Sequence, residues 1–272
     1  MYIPEFNIKA KNKDGIFRIR HILSHTSGFT EHAFSNLVDQ NVDRATLYKC
    51  IERIAPRDST GKAYAYQNVA FSLIEKIIEQ TTGMSYSQAL DYFLLSPLNM
   101  CNSSSTFEEM TLCTNHCQGH GYTKYGYKPQ ELGRHYYNIP SAGGVNAPLA
   151  DMEKWLSAVM GNRPDVLSPK ILNTAFSPYA NTYRDRKFWN RQTEVLNTHY
   201  GLGWRLIEMK NNDLVYHGGL VNGFRAEIAF DKKSNTGIVV LFNFLCNYSN
   251  SIVFDFFDFW NSYQDKSGDS FL

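Results

Sequence analysis

Several short stretches carry residues whose types and spacing could do chemistry. Tyr66-Gln67-Asn68 sets a phenol and a carboxamide two positions apart, and His217-Gly218-Gly219 sets an imidazole ahead of glycines that let another backbone come close. Ser59-Thr60-Gly61-Lys62 holds a hydroxyl and an ammonium three positions apart. Cys113, His116, Cys117 and His120 are possible metal ligands crowded into eight residues. Acyl transfer through serine calls for a nucleophile, a group that takes its proton and donors for the developing oxyanion. A phenol with a pKa of about 10 is a poor base at neutral pH unless a nearby ammonium stabilises the phenolate.

Each stretch also has a plainer reading. Tyr66 and Asn68 alone would mark a helix start with Asn68 as N-cap, and His217-Gly218-Gly219 alone would be a turn. Gly61 argues against a helix presenting Ser59 and Lys62 on one face, so both read as turn residues. The Cys-x3-Cys spacing with an interposed histidine is not a standard zinc pattern, and no second ligand pair is placed elsewhere, so no metal is assigned. His25 alone reads as a capping or buried structural histidine.

These residues need elements to position them. Ile19, Ile22 and Leu23 predict a short amphipathic helix from Arg18 to Leu23, ended by Ser24-His25-Thr26-Ser27-Gly28. After Asn68, the positions Val69, Leu73 and Ile77 with Ala70, Ile74 and Ile78 form a helix stripe that stops at Gly83, a left-handed cap. Ser85 with Gln88 is a capping-box pattern that opens a helix stopping before Pro97. Met152, Trp155, Leu156, Val159 and Met160 predict another, closed by Gly161, and Ser168-Pro169 opens a short one. Gly203 to Met209, Arg225 to Phe230 and Ile238 to Phe244 read as strands, with Asp231 to Gly237 as a connecting turn. A final helix from Ser251 to about Tyr263 carries the aromatic run Phe254 to Trp260 as a docking face. The mixture predicts an α+β fold, and no linker divides residues 1–272 into more than one domain.

With the elements in place, the resemblance to a family is specific. Arg20 to Gly28 resembles the RHLLxHTSG signature of the beta-lactamase-related serine hydrolases. Gly61 with Tyr66-Gln67-Asn68 is similar to that family's Gly-x4-Tyr-x-Asn element, and His217-Gly218-Gly219 to its Lys/His-x-Gly strand motif. Tyr2 to Phe6, Pro97 to Met100, Ala142-Gly143-Gly144 with Asp151 to Leu156, and Tyr200 to Trp204 match YLPEF, PLGM, AGGL…DMxxWL and YGLGW in the same order. The family includes class C beta-lactamases, penicillin-binding proteins of the D-alanyl-D-alanine carboxypeptidase kind and related esterases.

The resemblance implies an antiparallel sheet flanked by helices and a hydrolase that attacks amide or ester bonds through an acyl-enzyme. It makes Tyr66 and His217 catalytic, with Tyr66 relaying the nucleophile's proton and His217 standing where the family has a strand lysine. Asn68 would hold a substrate amide, Gly218 and Gly219 would let substrate approach the strand, and the Leu220 amide would serve the oxyanion. No cofactor is implied. The substrate is a small-molecule or peptide-like compound, and exported or periplasmic placement follows from analogy alone. Composition agrees in excluding other partners: 27 basic against 26 acidic residues leave no electrostatic reason for a nucleic-acid partner, and no apolar run reaches membrane-span length. Oligomeric state is open.

In the family a Ser-x-x-Lys lies upstream of YLPEF, which here starts at residue 2. The chain is therefore expected to lack the amino-terminal strands and the nucleophile helix, leaving the sheet around 225–245 with an uncovered edge. That leaves an enzyme in its complete form, a non-catalytic remnant or binding module with the same cleft, and a metal-binding protein using Cys113 to His120. An in-frame Ser-x-x-Lys in the coding DNA upstream of Met1 would favour the enzyme, and its absence the non-catalytic reading.

Overall fold

A computed structural model describes residues 2, 3, 6, 16–183 and 194–268 of the protein. Pro4 and Glu5 of the Tyr2–Phe6 segment lie outside the described residues. The chain builds a helical body first and a sheet second. The body begins with helices Ile19–Leu23, Ser35–Asp39 and Arg44–Arg53 and continues with Asn68–Phe71, Leu73–Thr82 and Tyr86–Leu90. Helices Phe107–Leu112, Pro140–Gly143, Leu149–Ser157 and Pro169–Ala175 follow, and helix Ile252–Gly268 comes last.

The signals read from sequence mark real boundaries. Gly83 ends its helix at φ 71°, where a side chain would be strained. Ser85 and Gln88 form the reciprocal capping box, and Ser168 accepts from the Ile171 amide. One assignment is corrected: the cap of helix Asn68–Phe71 is Gln67, not Asn68. The Gln67 side-chain oxygen accepts from the Val69 and Ala70 amides while its nitrogen donates to the Ala33 carbonyl. A longer side chain from the same register does the capping, and the carboxamide of Asn68 is left for other work.

A hairpin of β1 (His120–Thr123) and β2 (Gly126–Pro129) forms its own two-stranded sheet, tied to the segment after the last strand by the His120 amide, which donates to the Asn243 carbonyl at 2.8 Å. The main sheet is an antiparallel meander of β3 (Ala180–Asn181), β4 (Val195–Tyr200), β5 (Arg205–Met209), β6 (Asp213–Val221), β7 (Phe224–Asp231) and β8 (Thr236–Phe242). β4 and the β1–β2 hairpin were not legible in the sequence, because neither stretch has the long apolar alternation that marks β5, β7 and β8. Ser251 precedes the last helix rather than opening it, and the helix runs five residues past Tyr263, to Gly268.

Alternation along the strands divides the core between two faces. On one, Ile207, Leu214, Tyr216 and Ala229 pack against Val253, Phe254 and Phe257 of the last helix. On the other, Val215 and Phe230 pack against Leu95, Leu98, Met100, Val159 and Phe176 of the body. The docking face expected of the last helix is therefore Phe254 and Phe257, while Phe259 turns to solvent. β8 ends the sheet, and among the described residues its outer edge has no strand partner.

A buried polar group lies on the face covered by the last helix. Arg225 pairs with Glu227, whose other oxygen accepts from the Tyr216 hydroxyl at 2.6 Å. Glu227 is 1% exposed and burial pushes its carboxyl up, against the pull of the Tyr216 bond and the Arg225 charge. Removing one partner of a buried pair strands the other charge in a poor dielectric. Glu227→Ala is thus expected to cost roughly 3–5 kcal/mol in urea unfolding. Asp165→Ala, which breaks an ion pair to Arg163 at an exposed carboxylate, is expected to cost at most about 1 kcal/mol. Equal losses in the two variants would contradict this account.

Candidate active site

Two loops of the body are stitched together backbone to backbone. The Asp58 amide donates to the Gly28 carbonyl at 3.1 Å, the Gly61 amide to Thr26 at 2.8 Å and the Ala65 amide to His25 at 2.9 Å. The Gln67 amide then donates to His25 Nδ1 at 3.1 Å. Gly28 must be glycine, since a Cβ there would sit 2.3 Å from the Asp58 carbonyl oxygen and its φ is 87°. The RHILSHTSG and Gly-x4-Tyr-x-Asn segments are two sides of one seam, and that seam sets the position of Tyr66.

His25 is the pivot of the seam. It is 2% exposed, holds a left-handed backbone at φ 53°, and its ring lies 4.1 Å from that of Tyr66 and 5.0 Å from that of Tyr200. Burial, followed by the nearby charges of His217, Arg205 and His32, pushes its imidazole well below the usual range. It is a neutral hydrogen-bond acceptor in the frame, as its plain reading held.

The sheet enters at Tyr200. This residue is fully buried, and its hydroxyl lies 3.3 Å from His217 Nε2, a bond whose direction depends on the tautomer. The Tyr200 ring is 6.4 Å from that of Tyr66 and 5.2 Å from that of Tyr64. The turn after Tyr200 docks on the body through the Gly203 amide, which donates to the Leu23 carbonyl at 3.0 Å. Tyr66 from the body and His217 from β6 therefore both neighbour one phenol. Asn68 is 8% exposed and donates from Nδ2 to the Tyr136 hydroxyl at 3.1 Å.

The glycines of β6 differ. A Cβ on Gly218 would lie 2.6 Å from the Tyr216 hydroxyl and 2.7 Å from Glu227 Oε2. One on Gly219 would meet nothing within 4 Å. Gly218 faces the buried polar group, and Gly219 shares the opposite, open side with His217. β6 pairs with β7 as far as Val221, but its pairing with β5 stops at Tyr216. From His217 to Val221 the strand edge on the β5 side is open among the described strands, and Leu220 is 49% exposed there.

The electrostatics are those of a mostly neutral site. Burial raises the Tyr66 phenol, partly countered by the charge of Arg205. His217 is pushed down to about 4, by burial first and then by the charges of Arg205 and Arg225. The remaining stretches fall elsewhere. Ser59 to Lys62 is a turn, with the Lys62 amide on the Ser59 carbonyl at 3.1 Å and Gly61 at φ 83°. It borders a groove of about 780 Å³, with Arg18, Arg20 and His21, that includes none of the candidate site residues. Cys113, His116 and Cys117 are exposed, and no metal-holding group of His, Cys, Asp and Glu forms among the described residues. Tyr136 and Arg205 had no signal in the sequence. Tyr200 had one, its place in YGLGW.

A family profile described as Beta-lactamase matches residues 1–247. The chain belongs to the beta-lactamase family. The unguisins hydrolase ungD' of Aspergillus campestris is 26% identical over 244 residues, 86% of this chain and 44% of its own length. Protein flp of Staphylococcus aureus is 25% identical over 266 residues, 93% of this chain and 48% of its own. The chain thus spans about half the length of the curated relatives it matches. The octameric penicillin-binding protein homologue of Pyrococcus abyssi superposes with a TM-score of 0.75 at 22% identity, over 89% of this chain and 55% of that one. A class C beta-lactamase superposes at 0.69 and 19% identity, over 92% and 71%. At these identities the likeness is one of fold, and it bears out the α+β beta-lactamase/transpeptidase-like architecture read from the motifs.

In this family member the depressed imidazole ties stability to pH. Above pH 6.5 His217 is neutral both folded and unfolded and contributes no pH dependence. As pH falls from the unfolded value of about 6.5 towards the folded value of about 4, the unfolded chain takes up a proton that the folded one refuses. Stability is then lost progressively across that window. Urea midpoints at pH 7.5 and 4.5 should fall further for the wild type than for His217→Gln; parallel falls would refute a buried neutral imidazole.

Proposed function

We propose that the protein in its complete form is a serine hydrolase of the beta-lactamase family, acting on an amide or ester through an acyl-enzyme, with residues 1–272 as one domain. The convergence of Tyr66 and His217 on the Tyr200 phenol, beside the open edge of β6, carries this reading. A serine brought to that hollow would pass its proton to Tyr66 as it attacks the carbonyl, and Tyr66 would return it to the leaving group. A phenol raised by burial needs cations to take that role as the phenolate; the charge of Arg205 offsets the burial only in part, and the lysine of a Ser-x-x-Lys beside it would supply the rest.

Asn68 would hold a substrate amide. Gly219, open on its exposed side, would let the substrate backbone lie along the strand, with the Leu220 amide as an oxyanion donor. His217 differs in kind from a strand lysine: with a pKa of about 4 it is neutral at pH 7 and cannot supply a fixed positive charge. That favours the broader hydrolase and esterase chemistry over a dedicated penicillinase.

A second reading, a cleft that binds without a nucleophile, is favoured by the turn geometry of Ser59 to Lys62. Fluorophosphonate and penicillin probes should leave Ser59 unlabelled; adduct there would discard both the turn reading and the site proposed above. In a form extended upstream to carry a Ser-x-x-Lys, an activated ester or chromogenic cephalosporin should give an acylation burst. Tyr66→Phe should then slow acylation about 10²- to 10⁴-fold. Unchanged turnover in that variant would remove Tyr66 from the mechanism.

A further inference from the structure

We infer that Tyr136 is a specificity-determining residue that restricts the cleft to acyl amides with a small acyl group; this rests on Asn68 as the amide-binding group. Tyr136 is held in the left-handed region at φ 67°, a strained conformation for a bulky side chain. At one end its hydroxyl accepts from Asn68 Nδ2 at 3.1 Å. At the other, Cδ1 lies 2.9 Å from where a Cβ on Gly143 would stand, and the Val221 Cγ2 lies 3.2 Å from the same point. Gly143 is therefore confined to glycine, and the Tyr136 ring and the last residue of β6 both border the space above its Cα.

Tyr136 thus spans from the carboxamide on the body to the residue that follows Leu220 on the sheet. An amide bound between Asn68 and the open edge at Gly219 would turn whatever its acyl carbon carries towards this ring. On this inference a methyl is accepted beside the phenol and an aryl group is not. The hydroxyl adds a positioning role, because it holds the Asn68 carboxamide through one hydrogen bond.

Two variants separate these roles. Tyr136→Gly removes the ring and keeps a residue suited to positive φ. Tyr136→Phe removes only the hydroxyl. Binding of N-acetylglycinamide and N-phenylacetylglycinamide can be followed on the chain itself by the side-chain amide resonances of 15N-labelled asparagine, which requires no nucleophile. The wild type is expected to bind the acetyl compound at least about tenfold more tightly, a preference of a size that one steric contact can supply. Tyr136→Gly should abolish that preference. Tyr136→Phe should keep it, move the Asn68 resonance, and weaken both ligands roughly three- to tenfold, the worth of one hydrogen bond. A preference unchanged in Tyr136→Gly overturns the inference while leaving Asn68 in its role. An Asn68 resonance that neither ligand moves in any variant overturns the amide-binding reading of Asn68 and this inference with it. Should Tyr136→Gly fail to fold by circular dichroism, Tyr136→Asn, which also removes the ring and tolerates positive φ, takes its place, and a preference unchanged there overturns the inference alone.

Discussion

The seam between the His25–Gly28 loop and the Asp58–Gln67 segment is the constraint on which the site depends. Three backbone bonds and one bond to the His25 ring hold the segment in register, so the Tyr66 side chain has little freedom to choose where it points. A backbone seam is insensitive to most side chains but intolerant of any atom in its path, as the 2.3 Å approach at Gly28 illustrates. Its pivot is an imidazole that must stay neutral to accept the Gln67 amide. Burial ensures this, and the nearby Arg205 charge acts in the same direction. The frame is built from groups that do not titrate near neutral pH.

The second joint lies between body and sheet. Tyr200 is buried where the two meet, and the turn that follows it is hydrogen-bonded to the end of helix Ile19–Leu23. Both faces of the sheet are thereby committed. One carries the last helix over a polar group whose charges are satisfied internally, and the other carries the helical body. β6 runs between them and past the end of β5, so its own final residues are left with an edge free to receive another extended backbone. Gly218 and Gly219 stand next to each other but answer to different neighbours, a packed polar cluster and an open cleft.

The Ser59–Lys62 turn shows how spacing alone can mislead. A serine and a lysine three residues apart carry chemistry only when a helix brings both to one face. Here Gly61 takes a left-handed φ of 83°, and the turn faces a groove separate from Tyr66 and His217. The cysteine and histidine cluster near residue 116 behaves similarly, since closeness along the chain did not converge its side chains on a common point.

Helix boundaries were readable from local chemistry. Gly83, the Ser85–Gln88 capping box and Ser168-Pro169 act on their own neighbours within one turn, and so the sequence by itself determined them. Ordered motifs also determined the family, because their order along the chain needs no geometry to read. Only the tertiary structure decided which residues surround the motifs. Tyr200, Arg205 and Tyr136 come to the site from positions 70 to 139 residues distant from Tyr66 in the chain. Gln67 displaced Asn68 as cap because its longer side chain reaches two amides and a distant carbonyl at once. Contacts of that range are set by how the body docks on the sheet, and no local pattern encodes a docking geometry.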